Sequence, residues 1–201
     1  MAIRAVIFDM GGVWLRTEDP APRAALANRL GISIERLSSL VFDAPTAALA
    51  TVGQASEAEH WDYVREKLGL SSQQMDAFQQ EFWSGDQSDS ELLEFIGNLR
   101  PRYKTGLLSN AWSGARASIT QRYPGSLEFF DVLVYSAEVG LAKPDPAIFE
   151  YILKQLEVQP EEAIFVDDFP NNIEAARKIG LQVIHFKNSM QVRREISALI
   201  G

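Results

Sequence analysis

The chain has no cysteine and only two histidines, His60 and His185, among 201 residues. Without thiols there is no disulfide, no thiolate nucleophile and no sulfur-bound zinc, and two histidines so far apart argue against a histidine-rich metal centre. Any bound metal should therefore be a hard cation held by oxygen. Positive charge is also scarce: 19 Lys and Arg face 27 Asp and Glu, giving a formal net charge of −8, and no basic run offsets that balance. Nucleic-acid affinity rests largely on cationic side chains that neutralise phosphates, so no nucleic-acid partner is expected. No window approaches the roughly 18 continuous apolar residues of a membrane span, and the chain start lacks the pattern of a signal peptide. A soluble, cytoplasmic protein with no membrane partner is the expectation.

What is present is ordinary for a globular chain: 46% hydrophobic and 23% charged residues. The length suits one α/β domain with an insertion, or two small domains. The organising stretch is Ala5-Val6-Ile7-Phe8-Asp9-Met10-Gly11-Gly12-Val13. Its apolar run suits a buried parallel strand, which puts Asp9 at the C-terminal lip, where open α/β sheets bind their ligands. The two glycines permit a tight turn and a close backbone approach.

From about Asp19 to Gly85 no convincing strand occurs. The stretch reads as amphipathic helices over Pro22 to Leu30, Ser33 to Phe42, Pro45 to Val52, Ser56 to Leu68 and Ser71 to Trp83. Ser56 with Glu59 forms a capping box, and Trp61, Val64, Met75, Phe78, Phe82 and Trp83 fall at bundle-core spacing. From Asp89 the pattern alternates. Helices over Ser90 to Leu99, Ser113 to Arg122, Pro146 to Leu156, Pro170 to Ile179 and Met190 to Ile200 separate strands at Lys104 to Ser109, Phe130 to Tyr135, Ala163 to Val166 and Gln182 to Phe186. Such alternation predicts a Rossmann-like, three-layer α/β/α parallel sheet with an inserted helical-bundle cap. The core comprises residues 1–15 and 88–201, and the cap residues 16–87, seated above the strand C-termini.

Polar residues follow the apolar runs at one sheet edge: Asp9, then Ser109 with Asn110, then Lys143, then Asp167 and Asp168. Singly, each has a plain structural reading. Asp9 can cap a turn, Ser109 and Asn110 a helix, Lys143 can be a solvated loop charge, and Asp167-Asp168 can favour a helix dipole. Together they suit a phosphoryl group and a divalent metal. Asp9 and Asp168 can hold Mg²⁺, while Ser109, Asn110 and Lys143 supply phosphate-binding donors and positive charge for non-bridging oxygens.

In this order the segments resemble the haloacid dehalogenase-like hydrolase superfamily, in its branch with a small helical cap. The first matching segment is Val6 to Val13, and the second Gly106-Leu107-Leu108-Ser109-Asn110. The third is Gly140-Leu141-Ala142-Lys143-Pro144-Asp145-Pro146, and the fourth Ile164-Phe165-Val166-Asp167-Asp168 through Asn172, Ala175 and Gly180. The resemblance implies an aspartyl intermediate on Asp9 and Mg²⁺ held by Asp9, the main-chain carbonyl of Gly11, and Asp168. It further implies Asp167 as an additional acid near the metal and Asn172 as an orienting residue.

One position departs from the pattern. Phosphatases of this family usually carry a second aspartate two residues after the nucleophile, where this chain has Gly11. General acid–base help is typically worth about 10²- to 10⁴-fold. Either the leaving group needs little protonation, as with sugar-1-phosphates and acyl phosphates, or Glu18, Asp19 or a cap carboxylate substitutes, or activity is weak. A phosphatase acting on a small phosphorylated metabolite is the leading reading. Two alternatives stand beside it: a 2-haloacid dehalogenase, whose leaving halide needs no proton, and a catalytically weak binding protein. Trp14, Arg16 and the segment from Asp43 to Gln54 are candidates for substrate contact, although Trp14 can equally pack at the hinge and Arg16 face solvent. A monomer or a homodimer fits the sequence.

Overall fold

The structure, a computed structural model, describes residues 2–201. All four residues of β1 (Ala5–Phe8) are fully buried, as a central strand covered on both faces requires. After a tight turn come β2 (Leu15–Thr17) and five helices: α1 (Ala21–Leu30), α2 (Ile34–Phe42), α3 (Pro45–Thr51), α4 (Glu57–Leu68) and α5 (Ser72–Trp83). The chain returns through β3 (Asp86–Ser88) and then alternates through α6 (Ser90–Leu99), β4 (Lys104–Ser109), α7 (Ala115–Arg122) and β5 (Val132–Tyr135). A single turn, α8 (Ser136–Val139), precedes α9 (Pro146–Leu156), β6 (Ala163–Asp167), α10 (Pro170–Lys178), β7 (Gln182–His185) and α11 (Ser189–Ile200).

The main sheet has the order β5-β4-β1-β6-β7, with every pairing parallel. The chain runs outward from β1 to β4 and β5 on one side, and to β6 and β7 on the other. The crevice of this open sheet therefore lies at the C-terminal end of β1. Side chains alternate across it. Val6 and Phe8 pack in one core with residues of α6, α7 and α11, while Ala5 and Ile7 pack in the other with residues of α9 and α10. This is the three-layer α/β/α arrangement that the alternating pattern predicts.

Helices α1, α2, α4 and α5 enclose a separate apolar core that includes Leu26, Leu37, Val41, Trp61, Phe78 and Phe82. The Ser56–Glu59 capping box starts α4, and a second box, Ser71 with Gln74, starts α5. The antiparallel ribbon of β2 and β3 was not expected. Each strand has only three residues, none fully buried, so neither carries a readable alternation. Two other elements start two residues later than expected. β5 begins at Val132 rather than Phe130 because a 3₁₀ turn over Ser126–Phe129 leads into it. α7 begins at Ala115 rather than Ser113 because the preceding residues contact the inserted helices.

Candidate active site

Asp9 sits one residue beyond β1, and its backbone N–H still donates to the Val166 carbonyl at 2.9 Å. That bond fixes the carboxylate at the sheet edge. Lys143, from the loop between α8 and α9, is 5% exposed, and its Nζ lies 2.7 Å from Asp9 Oδ1 and 2.7 Å from Asp167 Oδ2. Burying an ammonium costs several kcal/mol unless charge partners offset it, and these two carboxylates are the offset. Asn110 steadies the loop: its Nδ2 donates to the Lys143 carbonyl at 2.8 Å, and the Lys143 N–H donates to its Oδ1 at 2.8 Å. The side chain expected to bind phosphate is thus a clamp on the lysine main chain. Ser109, buried at the end of β4, shares the sheet edge.

Asp167 is fully buried and heavily bonded. It accepts from the Phe169 N–H at 2.7 Å and from Lys143 Nζ, and Asn172 Nδ2 lies 3.1 Å from each of its oxygens. Asp168 is exposed and keeps its carboxylate turned to the site. One oxygen from each of Asp9, Asp167 and Asp168 lies within 4.8 Å of the others. Because Asp167 already serves several donors, Asp9 and Asp168 are the pair with coordinating capacity to spare. This narrows the expectation that Asp167 is a direct metal ligand.

The electrostatics point the same way. Three carboxylates against one ammonium leave an excess of two negative charges. Burial pushes Asp9 up to about 7; Lys143 pulls against that shift and Asp167 adds to it. Asp168, exposed as a residue, is also raised, because its carboxylate is partly desolvated where it faces the site and lies beside Asp167. Burial works against the Lys143 charge, but Asp9 and Asp167 outweigh it and hold the lysine above its usual value. A divalent cation beside Asp9 and Asp168 would cancel the excess, so these residues fit Mg²⁺.

The glycine pair divides its labour. Gly12 has φ +76°, and a Cβ there would lie 2.1 Å from Asp168 Oδ2. Gly12→Ala should therefore strain the turn and displace Asp168, and calorimetric titration should show Mg²⁺ affinity reduced by at least about tenfold. Unchanged affinity would contradict this geometry. Gly11 is different: a Cβ there meets nothing within 4 Å, and its φ lies outside the left-handed region. It lies in the turn closed by the Leu15 N–H donating to the Met10 carbonyl at 3.0 Å.

The plain capping reading of Ser109 and Asn110 fails. Neither Ser109 nor Asn110 caps α7, whose N-cap is Gly114, and α10 has no side-chain cap at all. Two expected substrate contacts also need correction. Trp14 is fully buried, with its ring centroid 6.2 Å from that of Phe130, so it supports the core instead of touching substrate. Arg16 donates to the Val13 carbonyl and, at 3.0 Å, to Asp89, while its guanidinium lies over Phe186. Of the acids considered as stand-ins for a second aspartate, Glu18 accepts from Arg16 at 2.9 Å and Asp19 caps the Ala21 N–H at 2.9 Å. Sequence reasoning did not find the contact between His185 Nε2 and the Asp168 carbonyl, 3.0 Å across neighbouring strand ends. No motif signals it.

A sequence model of the haloacid dehalogenase-like hydrolase family matches residues 3–180. The chain belongs to this family. It is 27% identical over 210 residues to the D-ribitol-5-phosphate phosphatase of Bacteroides thetaiotaomicron, covering 99% of both. It is also 32% identical over 102 residues to bifunctional epoxide hydrolase 2 of Mus musculus, which is 49% of this chain but only 18% of that longer one. A haloacid dehalogenase-like (HAD) family enzyme of Bacteroides thetaiotaomicron, solved as a magnesium complex, superimposes with a TM-score of 0.75 at 25% identity, covering 93% of this chain and 94% of that one. Within this HAD-like hydrolase, Gly11 remains the notable substitution.

Proposed function

We propose that this hydrolase is a Mg²⁺-dependent phosphatase that moves a phosphoryl group from a small phosphorylated metabolite, of sugar-phosphate or acyl-phosphate type, to Asp9 and then to water. The observation that carries this reading is the convergence of Asp9, Asp167, Asp168 and Lys143 at one sheet edge, with an excess of two negative charges when all four are ionised. Both similarities to Bacteroides proteins, one a phosphatase and one a magnesium complex, support it.

Asp9 is the nucleophile, positioned by its backbone bond to β6 and by Lys143. Lys143 screens Asp9 from Asp167 and presents an ammonium to the phosphoryl oxygens, and Ser109 adds a hydroxyl donor. Asn110, Asp167 and Asn172 hold Lys143 in place. Asp9, the Gly11 carbonyl and Asp168 would hold Mg²⁺, which would supply charge neutralisation for the phosphoryl oxygens. With Gly11 offering no titratable side chain and Glu18 and Asp19 engaged elsewhere, leaving groups that need little protonation suit the site. Dehalogenation would tolerate Gly11 but leave Asp168 without a task.

The test is phosphate release from acetyl phosphate, glucose-1-phosphate and simple alkyl phosphates with and without Mg²⁺, alongside chloride release from 2-chloropropionate. Metal-dependent phosphate release, fastest for the better leaving groups, is expected; metal-independent chloride release would overturn the reading. The metal should also show a pH signature in thermal unfolding. Asp9 titrates at about 7 in the fold against an ordinary 3.8, so its contribution to stability is full below 3.8 and lost as pH rises through 7. Mg²⁺ should thus raise Tm more at about pH 8 than at about pH 5.5, where protons compete for Asp9. Equal increments at the two pH values would contradict a metal on Asp9.

A further inference from the structure

The loop that follows β4 joins the catalytic edge to the inserted helices through an unbroken series of contacts. Asn110 holds the Lys143 main chain, and Ala111 exchanges bonds with the Ser136 hydroxyl at 2.9 and 3.1 Å. Trp112 leaves the core and packs among cap aromatics, with ring centroids 4.5 Å from His60, 5.4 Å from Trp61 and 6.4 Å from Phe42. The Gly114 N–H, at the start of α7, donates at 3.0 Å to Glu57 Oε2 of the cap. The other oxygen of the same carboxylate accepts from Trp61 Nε1 at 3.1 Å, and the Glu57 N–H faces Ser113 Oγ at 3.5 Å.

α7 has no cap of its own, since glycine occupies its N-cap position. A cap-domain carboxylate therefore fills that role across the interface, where the free amides and the helix dipole favour negative charge. We infer that Glu57 is a positioning residue for substrate binding: it latches the cap onto the loop of residues 110–114, the loop whose Asn110 also holds the Lys143 main chain. This inference rests on the catalytic reading of Lys143. Glu57 touches neither Asp9 nor Asp168, so its effect acts through the seated cap and not through the chemistry.

Gly114 supplies an independent test from the other side. Its φ of −86° and ψ of −8° suit alanine, yet a Cβ there would lie 2.3 Å from Glu57 Oε2. Gly114→Ala therefore dislodges the carboxylate without straining the core backbone. If the seated cap is the binding-competent state, lowering its population raises KM in proportion, while saturating substrate restores turnover.

With acetyl phosphate and Mg²⁺, Glu57→Ala and Gly114→Ala should each raise KM about tenfold with kcat within about twofold. The double variant should be no worse than either single, because both remove one latch. Hydrogen exchange on the same proteins should show lost protection at the Trp61 indole N–H in each variant. If Glu57→Ala fails to fold, Gly114→Ala alone decides. Faster exchange with unchanged KM, or effects that multiply in the double variant, would overturn the latch. Absence of phosphate turnover in the unsubstituted protein would instead refute the catalytic reading, while the exchange data would still report whether Glu57 seats the cap.

Discussion

Replacing Asp9 by Asn should abolish turnover, by about four orders of magnitude or more, and at the same time stabilise the metal-free protein above neutral pH. The first effect follows from removal of the nucleophile, a loss that other groups of the site cannot share. The second follows from the cost of the charge. Asp9 is buried beside Asp167, and its ionisation through about 7 works against folding. Asn keeps the shape and removes that cost, while Lys143 retains Asp167 at 2.7 Å. Thermal unfolding at about pH 8 without metal should therefore give a higher Tm for Asp9→Asn, and phosphate release should fall to background. Retained turnover would remove the covalent mechanism. A lowered Tm would show that Asp9 supports the fold through Lys143 more than its burial costs.

Gly11→Asp should place a titratable carboxyl where this chain has none. A Cβ at residue 11 meets no atom within 4 Å, and the backbone there is not left-handed, so the first side-chain atom of an aspartate enters without a clash. A carboxyl two residues from the nucleophile can protonate a departing alkoxide and then deprotonate water. Turnover of simple alkyl phosphates should rise about 10²-fold or more, while acetyl phosphate, whose leaving group is already good, should change little. The diagnostic is the ratio of kcat/KM for the two substrate classes. A ratio that does not move would mean that another group already serves as acid and base, or that leaving-group protonation is not limiting.

Much of this architecture is legible in the residues, and the exceptions have physical causes. The apolar run before Asp9 needs both faces covered, which suffices to predict a central parallel strand, and the alternation after Asp89 does the rest. Asp9, Ser109, Asp167 and Asp168 stand at or just past strand ends, so they can be read without coordinates, whereas Lys143 lies in the loop between α8 and α9. The ribbon of β2 and β3 cannot be so read, since strands of three residues, only one of the six apolar, carry no period. Trp14 illustrates a different limit. Its position just after the first motif suits either substrate or core, and only its contact with Phe130 decides. Asn110 and Asp167 have the expected neighbours but different tasks, because sequence shows a polar group without showing which donors and acceptors it has already satisfied. Glu57 cannot be read from the sequence: it is the first helical residue after a capping serine, and its partner Gly114 lies 57 residues away.

The central claim is that Asp9 accepts a phosphoryl group. The most direct measurement is mass spectrometry of protein acid-quenched during turnover of acetyl phosphate with Mg²⁺, followed by peptide mapping. The account predicts the added mass of one phosphoryl group on the peptide containing Asp9, dependent on the metal and absent in Asp9→Asn. Phosphate release proceeding with that peptide unmodified, or the label appearing on another residue, would contradict it.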